Sequence, residues 1–242
     1  KKAADKIPAY ASGLNPSDCI EGTDRARDQG FKAFKLKVGF GKEVDERNLK
    51  AIRSKMITGE KLFVDANQGF SLDSASDQIG MLVDYGVDWF EEPFIATADS
   101  SEWKKFKSTC PVPLAGGENL LSDRLLTEAF GWLDYIQPDI GKWGGVDGCF
   151  DIAKKAIAAE KVYCPHWLSG GIGLLHSAHV LSAAGGKGLL EVDSNPNPLR
   201  TVITKQLQGL EDSRFSLGAK PGIGIDNPLD SLTEYIIDHQ SL

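Results

Sequence analysis

The sequence has few cysteines, and the four it has lie far apart with no CxxC pair: Cys19, Cys110, Cys149 and Cys164. Scattered cysteines of this kind are typical of reduced thiols in a cytosolic protein. Cys164 lies two residues from a histidine that is discussed below, but a buried thiol with a packing role is the more frequent reason for such a cysteine. We therefore expect a cytoplasmic protein with four free thiols.

Long apolar runs are missing too. No run approaches the roughly 20 residues that a membrane helix needs, and the opening KKAADKIPAYASG has charge without the apolar segment of a signal peptide. The formal net charge of −7 disfavours nucleic acid or an anionic membrane as a partner. Because a local cationic pocket or a metal can override the global charge, an anionic small molecule remains a suitable partner.

Nucleotide-binding motifs are absent as well: no GxGxxG follows a strand-like run, and GGIG at 170–173 is not a P-loop. There is no low-complexity segment and no interdomain linker. The composition, 41% hydrophobic and 25% charged, is that of a globular protein. We expect one domain over residues 1–242, with an irregular tail from about residue 195 that closes over it.

What the sequence does contain is a regular alternation of short apolar runs with amphipathic ones. Eight strand-like runs cover residues 7–12, 31–38, 61–67, 87–93, 112–119, 134–140, 161–167 and 188–193. The runs between them repeat apolar residues every three or four positions, as in helices: Leu49, Ile52 and Met56; Leu72, Ala75, Ile79 and Leu82; Ile152, Ala153, Ala156 and Ile157. Eight strands separated by helices imply parallel βαβ units, and the even spacing favours a closed TIM-type (β/α) barrel.

The strand-like runs end on polar residues, as KLFVDANQGFS (61–71) does at Asp65 and Asn67. In barrel enzymes the carboxyl ends of the strands carry the chemistry. The polar residues at these ends are Lys35, Lys37, Asp65, Asn67, Glu91, Glu92, Glu118, Asn119, Asp139, His166 and Glu191. The main members follow one another at intervals of 21 to 28 residues, one βα unit each. We therefore expect them at the same height around one ring, facing a shared site.

Asp65, Glu91 and Glu118 end three neighbouring strands in this prediction. Three carboxylates so close would repel one another strongly unless a cation bound them. An all-oxygen set without cysteine or an adjacent histidine suits a hard ion, so we predict Mg²⁺, with Mn²⁺ as the alternative. The competing interpretation is that each carboxylate caps the helix that follows it. Three carboxylates in register on adjacent strands favour a shared site over three separate helix caps.

Lys35 and Lys37 are two residues apart on one strand, so both side chains point to the same face. Alternation places Phe34, Leu36 and Val38 on the other face, against the helices, and so directs the lysines inward. Two adjacent ammonium groups would depress one pKa and leave a neutral amine that can accept a proton. The alternative is that both lysines are solvated at the surface.

His166 ends the seventh strand and Asp139 the sixth, and a carboxylate beside a histidine fixes its tautomer and raises its basicity. The pair is a candidate for a second acid/base group, although a lone histidine is often structural. Glu191 is either a rim charge or, if protonated, a hydrogen-bond donor to a developing oxyanion.

These residues lie in motifs that resemble the enolase superfamily, and within it the mandelate racemase subgroup. The motifs are KLK (35–37), VDANQ (64–68), FEEP (90–93), GGEN (116–119), QPDIGKWGGV (137–146), PHW (165–167) and LLEVD (189–193). The resemblance implies a (β/α)7β-like barrel in which Asp65, Glu91 and Glu118 bind Mg²⁺. It also implies that Lys37 is the base on one face of the substrate, while Lys35 stays cationic and helps to bind the substrate carboxylate.

By the same resemblance His166, held by Asp139, acts on the opposite face, and Glu191 donates to the metal-bound carboxylate. The implied chemistry is removal of a proton α to a carboxylate. Family members carry an N-terminal α+β capping domain, which we expect to be absent from this chain, and they lead us to expect a homo-oligomer. Asn67 joins Lys35 and Glu191 as a candidate substrate-binding residue.

Two reactions fit this set of residues. Lys37 could remove the α-proton while His166 protonates a departing β-hydroxyl, which would dehydrate an acid sugar or hydroxy diacid to a 2-keto acid. Alternatively, the two groups could exchange a proton across opposite faces and act as a racemase or epimerase. HWLSGGIGLLHSAH and LLEVDSNPNPLR resemble the acid-sugar and tartrate dehydratases, so we favour dehydration. A cycloisomerase-like reaction, a Schiff-base aldolase and a non-catalytic binding barrel are the remaining alternatives.

Overall fold

The computed structural model describes residues 6–204, 210–225 and 229–237. Within these residues the strands β1 to β9 are Lys6–Leu14, Ala33–Lys37, Lys61–Asp65, Trp89–Glu91, Leu114–Gly116, Tyr135–Ile136, Val162–Tyr163, Leu190–Asp193 and Arg214–Ser216. The helices α1 to α8 are Cys19–Asp28, Lys42–Lys55, Leu72–Asp84, Ser100–Thr109, Asp123–Glu128, Gly145–Ala158, Gly171–Ala184 and Pro198–Thr201. Short 3₁₀ segments cover Ala129–Gly131 and Leu229–Tyr235. No helix in the described part of the chain is long and apolar enough to cross a membrane.

Strands β1 to β8 form one curled sheet in the order β7-β6-β5-β4-β3-β2-β1-β8, and the pairs along it are parallel. The two end strands, β7 and β8, meet without a ladder among the described residues. Instead, the Leu189 N–H donates to Cys164 Sγ at 3.3 Å. A Cβ on Gly188 would lie only 1.8 Å from the Tyr163 carbonyl oxygen, so glycine is required for this close approach. The predicted barrel of eight parallel strands is confirmed.

Side chains alternate between the two faces of this sheet. Phe34 and Leu36 of β2 point outward and share one apolar cluster with Leu49 and Ile52 of α2, as the helical period predicts. Inward-pointing residues form a second, smaller cluster inside the barrel, described in the Discussion. Lys35 is among the inward residues and is 1% exposed, so the prediction that the lysine positions of β2 face inward is confirmed.

Local sequence signals fix where several helices begin. Ser71 and Ser74 form a reciprocal capping box at the start of α3, and Asp99 and Glu102 do the same for α4. In both cases the orphan N–H groups of the first helical turn are satisfied by side chains only three residues apart. The loops that follow β3 and β4 are therefore held firmly at the face where the polar strand ends lie.

Seven of the eight predicted strands are shorter in the structure than in the prediction, and only β1 is longer. Strands β5, β6 and β7 end before the predicted Glu118, Asp139 and His166. An isolated parallel bridge between Asp139 and His166 nevertheless continues the β6–β7 pairing. The prolines at 138 and 165, which lack an N–H donor, account for the interruption of the ladder.

The tail from about residue 195 contacts both ends of the barrel. Near the carboxyl ends of the strands, Arg200 donates to Asp193 Oδ2 at 2.9 Å. At the opposite end, β9 pairs antiparallel with the first three residues of β1. The tail therefore does more than close over one face, and β9 was not predicted. Residues 205–209 and 226–228 of the tail lie outside the described residues.

Candidate active site

Lys35 lies at the centre of the polar strand ends. Its Nζ is 2.5 Å from Glu91 Oε1, 2.7 Å from Glu191 Oε1 and 3.4 Å from Asp65 Oδ2. Burial alone would lower the pKa of Lys35, but the carboxylates of Glu191 and Glu91 outweigh it and raise the pKa well above its usual value. The raised pKa of Lys35 agrees with the expectation that this lysine stays cationic, so the depressed pKa expected for one lysine of the pair does not belong to Lys35.

Lys37 ends β2 beside the end of β3. Its Nζ donates to Asp65 Oδ2 at 2.6 Å and to Asn67 Oδ1 at 2.5 Å. The Asp65 side chain also accepts the Asn67 backbone N–H at 2.8 Å, which helps to hold Asn67 in a left-handed conformation with φ of 42°. Lys37 is 15% exposed in its side chain, so its amine is accessible from the open end of the barrel.

His166 and Asp139 form a close pair: His166 Nδ1 lies 2.6 Å from Asp139 Oδ2. Asp139 Oδ1 accepts the backbone N–H groups of Gly141 and Lys142, so this carboxylate is fixed from both sides. The other ring nitrogen, Nε2, is 3.3 Å from Glu118 Oε2. Burial lowers the pKa of His166, but Glu191, Asp139 and Glu118 together raise it to about 9.

Glu191 lies between two basic side chains, with Lys35 Nζ at 2.7 Å and His166 Nε2 at 3.9 Å. Burial would raise its pKa, but Lys35 and His166 lower it to about 2. Its Oε2 accepts the Trp167 backbone N–H at 3.1 Å. Because Lys35 lies directly against the Glu191 oxygen, these contacts favour the carboxylate, and the role of Glu191 as a protonated donor stays a prediction.

The expected common height of the ring holds for only part of it. Lys37 is the register partner of Asp65, and Asp65 of Glu91. Glu91, however, pairs with Ala115, three residues before Glu118. Strands of a barrel are tilted, so a line of hydrogen-bonded partners climbs around it and residues of one ring are not register partners throughout. Side-chain contacts, rather than register, bring Glu118 to the others: Asn67 Nδ2 is 3.4 Å from Glu118 Oε1.

The predicted metal ligands lie close to one another, but lysines stand between them. Among the described residues no three acidic, histidine or cysteine side chains converge as metal ligands, since Lys35, Lys37 and Lys142 each bind one or more of the carboxylates. The buried carboxylates Asp65, Glu91 and Glu191 outnumber the one buried lysine among them, Lys35. Burial, followed by repulsion from Asp65, raises the pKa of Glu91. A surplus of carboxylate oxygens fits a hard divalent cation.

Three residues of this network were missed by the sequence analysis. Gln137 is 1% exposed and donates from Nε2 to Glu91 Oε2 at 2.8 Å. Lys142, on the loop before α6, donates to Glu118 Oε2 at 2.5 Å. Asn119 was only noted as polar, yet it donates to both oxygens of Glu92, at 3.1 and 2.8 Å. Burial, then Glu118, raises the pKa of Glu92 to about 7. The motifs QPDIGKWGGV (137–146) and GGEN (116–119) contain all three residues, which is the signal that could have found them.

Comparison with known proteins places this geometry in a family. Residues 18–230 match the model of the family described as "Enolase C-terminal domain-like". D-Galactarolactone cycloisomerase from Agrobacterium fabrum is 27% identical over 248 residues, which cover 96% of this chain and 65% of that protein. Arabinonate dehydratase from Saccharolobus solfataricus is 29% identical over 90% of this chain and 61% of that protein.

Comparison with solved structures leads to the same family. A mandelate racemase/muconate lactonizing enzyme from Bordetella bronchiseptica RB50 superposes with a TM-score of 0.92 at 40% identity, covering 97% of this chain and 66% of that one. An enolase from Bradyrhizobium, complexed with magnesium and mandelic acid, gives a TM-score of 0.81 at 30% identity and covers 96% of this chain and 63% of that one.

This chain therefore spans 61% to 66% of the length of these relatives. The match to the family model extends over most of the chain, and the barrel, the polar strand ends and the spacing of the motifs agree with it. The chain belongs to the enolase C-terminal domain-like family, with mandelate racemase-type enzymes and acid-sugar dehydratases among its relatives.

Proposed function

We propose that this protein is an Mg²⁺-dependent enzyme that removes the proton α to a carboxylate, and that it dehydrates a polyhydroxy acid to a 2-keto acid. The observation that supports this most directly is the placement of two proton-transfer groups around one set of carboxylates. Lys37 Nζ contacts Asp65 from β2, while His166 Nε2 approaches Glu118 from the end of β7. These strands lie three positions apart around the barrel, so the two groups reach the site from different sides.

Asp65, Glu91 and Glu118 are the residues that would hold Mg²⁺. When bound, the ion would act as a Lewis acid toward the substrate carboxylate and stabilise negative charge there. Lys35 would keep its positive charge among Glu91, Glu191 and Asp65 and add to that stabilisation. The buried position of these groups strengthens their electrostatic effect, because little water screens them.

The proton transfers fall to Lys37 and His166. Lys37, as a neutral amine, takes the proton from the α-carbon, and the C–H electrons form the enediolate. Those electrons then expel the β-hydroxyl, which leaves as water with a proton from His166 Nε2. The resulting enol takes up a proton at the β-carbon, loses the proton of its α-hydroxyl to water, and becomes the 2-keto acid. Asp139 is hydrogen-bonded to His166 Nδ1, so it keeps the imidazole oriented with Nε2 directed to the site.

A racemase or epimerase reaction is the second candidate, because the same two groups could remove and return a proton on opposite faces. A screen of sugar acids and small hydroxy diacids with the full-length protein and Mg²⁺ separates the two. Formation of 2-keto acid supports dehydration. Uptake of deuterium from D₂O with inversion and without keto acid would establish a racemase or epimerase. If no acid gives either product, the proposed chemistry is wrong.

A further inference from the structure

The loop between β6 and α6 places an ammonium group directly at the proposed site. Lys142 Nζ and His166 Nε2 both approach the same oxygen, Glu118 Oε2, at 2.5 and 3.3 Å. Lys142 also reaches Asn119 Oδ1 at 3.4 Å. Its side chain is 42% exposed, whereas that of Glu118 is 8% exposed. Lys142 therefore contacts a buried carboxylate of the proposed site while part of its own side chain stays exposed to solvent.

The main chain of Lys142 is fixed even though its side chain is exposed. Its N–H donates to Asp139 Oδ1 at 2.9 Å, and Oδ2 of the same carboxylate binds His166. Lys142 and His166 are thus attached to one anchor. The Lys142 side chain can change partner without moving away from the imidazole.

A change of partner is required if Glu118 binds a divalent cation, and this step rests on the proposed function. An ammonium group that shares an oxygen with such a cation is repelled by it. Lys142 then needs another anion. Nearby carboxylates are already used. Glu91 and Glu191 bind Lys35, and Asp139 binds His166. Both oxygens of the buried Glu92 accept from Asn119 Nδ2. The remaining source of an anion is the ligand itself.

We infer that Lys142 binds a second carboxylate of the substrate, at the end remote from the reacting α-carbon. The site would accordingly prefer hydroxy diacids over hydroxy monoacids of the same chain length and configuration. Lys142 would act as a specificity residue, since a charge-assisted hydrogen bond to a carboxylate is strong and its loss weakens binding considerably.

The test measures binding as well as turnover. The full-length protein carrying Lys37→Ala, which blocks proton removal, would be loaded with Mg²⁺ and titrated calorimetrically with matched acids. Suitable pairs are galactarate with galactonate, glucarate with gluconate and tartrate with threonate. We expect one diacid to bind roughly 10- to 100-fold more tightly than its monoacid. Adding Lys142→Met should remove that difference, and Lys142→Arg should restore part of it.

Lys155→Met is the matched control. Lys155 forms an equally short pair with Asp123, at 2.5 Å and 48% side-chain exposure, on the last turns of α6. The Lys155→Met variant should leave the affinities for the diacid and for the monoacid unchanged. In the protein that retains Lys37, Lys142→Met should lower kcat/KM for the diacid by a larger factor than it lowers kcat/KM for the matched monoacid.

The outcomes are distinct. If monoacids yield keto acid and no diacid is preferred, the inference is wrong while the proposed function stands. If Lys142→Met weakens Mg²⁺ and both acids equally, Lys142 only positions Glu118 and the inference is also wrong. If no acid in any pair binds or reacts, both the proposed function and the inference fall.

Discussion

The two ends of the barrel interior differ in kind although they belong to the same strands. On β3, Phe63 and Asp65 both point inward, two residues apart, and on β4 the same holds for Trp89 and Glu91. The amino-terminal half of the interior is aromatic, and the carboxyl-terminal half is charged. We call the first the aromatic plug (Tyr10, Phe63, Trp89 and Tyr135) and the second the charged ring (Lys35, Asp65, Glu91 and Glu191).

The aromatic plug is densely packed. The rings of Phe63 and Trp89 are stacked with centroids 3.6 Å apart, and Tyr10 meets both edge-on at 5.5 and 5.1 Å. The two layers touch where Lys35 Nζ lies 5.5 Å from the Tyr10 ring centroid. The aromatic plug therefore supports the charged ring. Because the packed rings exclude water from the amino-terminal half of the interior, the charges of the ring interact strongly with one another. Stability should depend on both layers, and chemistry on the upper one.

The largest effect should come from Lys37, which borders the charged ring. Lys37→Ala should reduce α-proton exchange in D₂O by about 10³-fold or more, because general base catalysis is removed. His166→Asn should keep exchange while elimination is lost. Proton NMR of exchange beside a keto-acid assay gives both quantities. If exchange is undiminished by Lys37→Ala for every responsive acid, Lys37 is not the base.

A matched pair of substitutions compares the layers directly. Lys35→Met leaves buried carboxylates without their cation and should lower the free energy of unfolding by about 3–5 kcal/mol. Trp89→Ala should cost a similar 3–5 kcal/mol through the cavity that it leaves. Only Lys35→Met should change Mg²⁺ affinity by more than about threefold. Urea unfolding measures the free energy of unfolding, and calorimetry measures Mg²⁺ affinity. An equal change of Mg²⁺ affinity in Trp89→Ala would contradict the division of roles between the two layers.

Gln137 tests whether the charged ring extends beyond its charged members. Gln137→Leu removes the donor to Glu91 Oε2 and should weaken Mg²⁺ binding by about 10-fold, as is common for groups that orient a ligand. The control is Gln78→Leu on α3, a buried glutamine whose Nε2 donates to a helix carbonyl away from the site. Unchanged Mg²⁺ affinity in Gln137→Leu would limit the ring to its ionic contacts.

Cys164, in the same interior cluster as the aromatic plug, should give the smallest effect. Burial raises the pKa of its thiol to about 12, whereas an unfolded cysteine titrates near 8.5. The unfolded chain therefore loses this proton first, and stability should fall above about pH 8.5, by about 1.4 kcal/mol per pH unit for this group. Cys164→Ala should make the fall shallower by that amount in urea unfolding at pH 7.5 and 9.5. An identical slope in both proteins would show that Cys164 is not the titrating group.

The barrel could be predicted from the sequence because each unit combines a short strand-like run with an amphipathic helical run. In addition, the strand-like runs end on polar residues. Asp65 and Glu91 are the last residues of their strands, so position alone marked them. Position in the sequence could not show that Lys35 binds three carboxylates or that Lys142 reaches Glu118. Such pairs depend on the tilt of the strands and on the side-chain rotamers. Glu92 has a φ of 36°, a left-handed conformation that nothing in its residue type indicates.

Strand β9 was missed for a related reason. It has three residues, Arg214–Ser216, and a single buried side chain, Phe215. No periodic pattern exists over so short a run. Its conformation is set by pairing with a strand about two hundred residues earlier, which is tertiary rather than local information.

That pairing has a consequence for how the chain is made. β1 contacts β2, β8 and β9, and β8 and β9 are synthesised after β2 to β7. During synthesis one edge of β1 stays open until residues 190–216 have left the ribosome, and an open strand edge invites pairing with other chains. Closing such distant contacts is also entropically slow. The nascent protein is therefore most prone to aggregate in the interval when β1 to β7 have been synthesised and the free edge of β1 has not yet paired with β8 and β9.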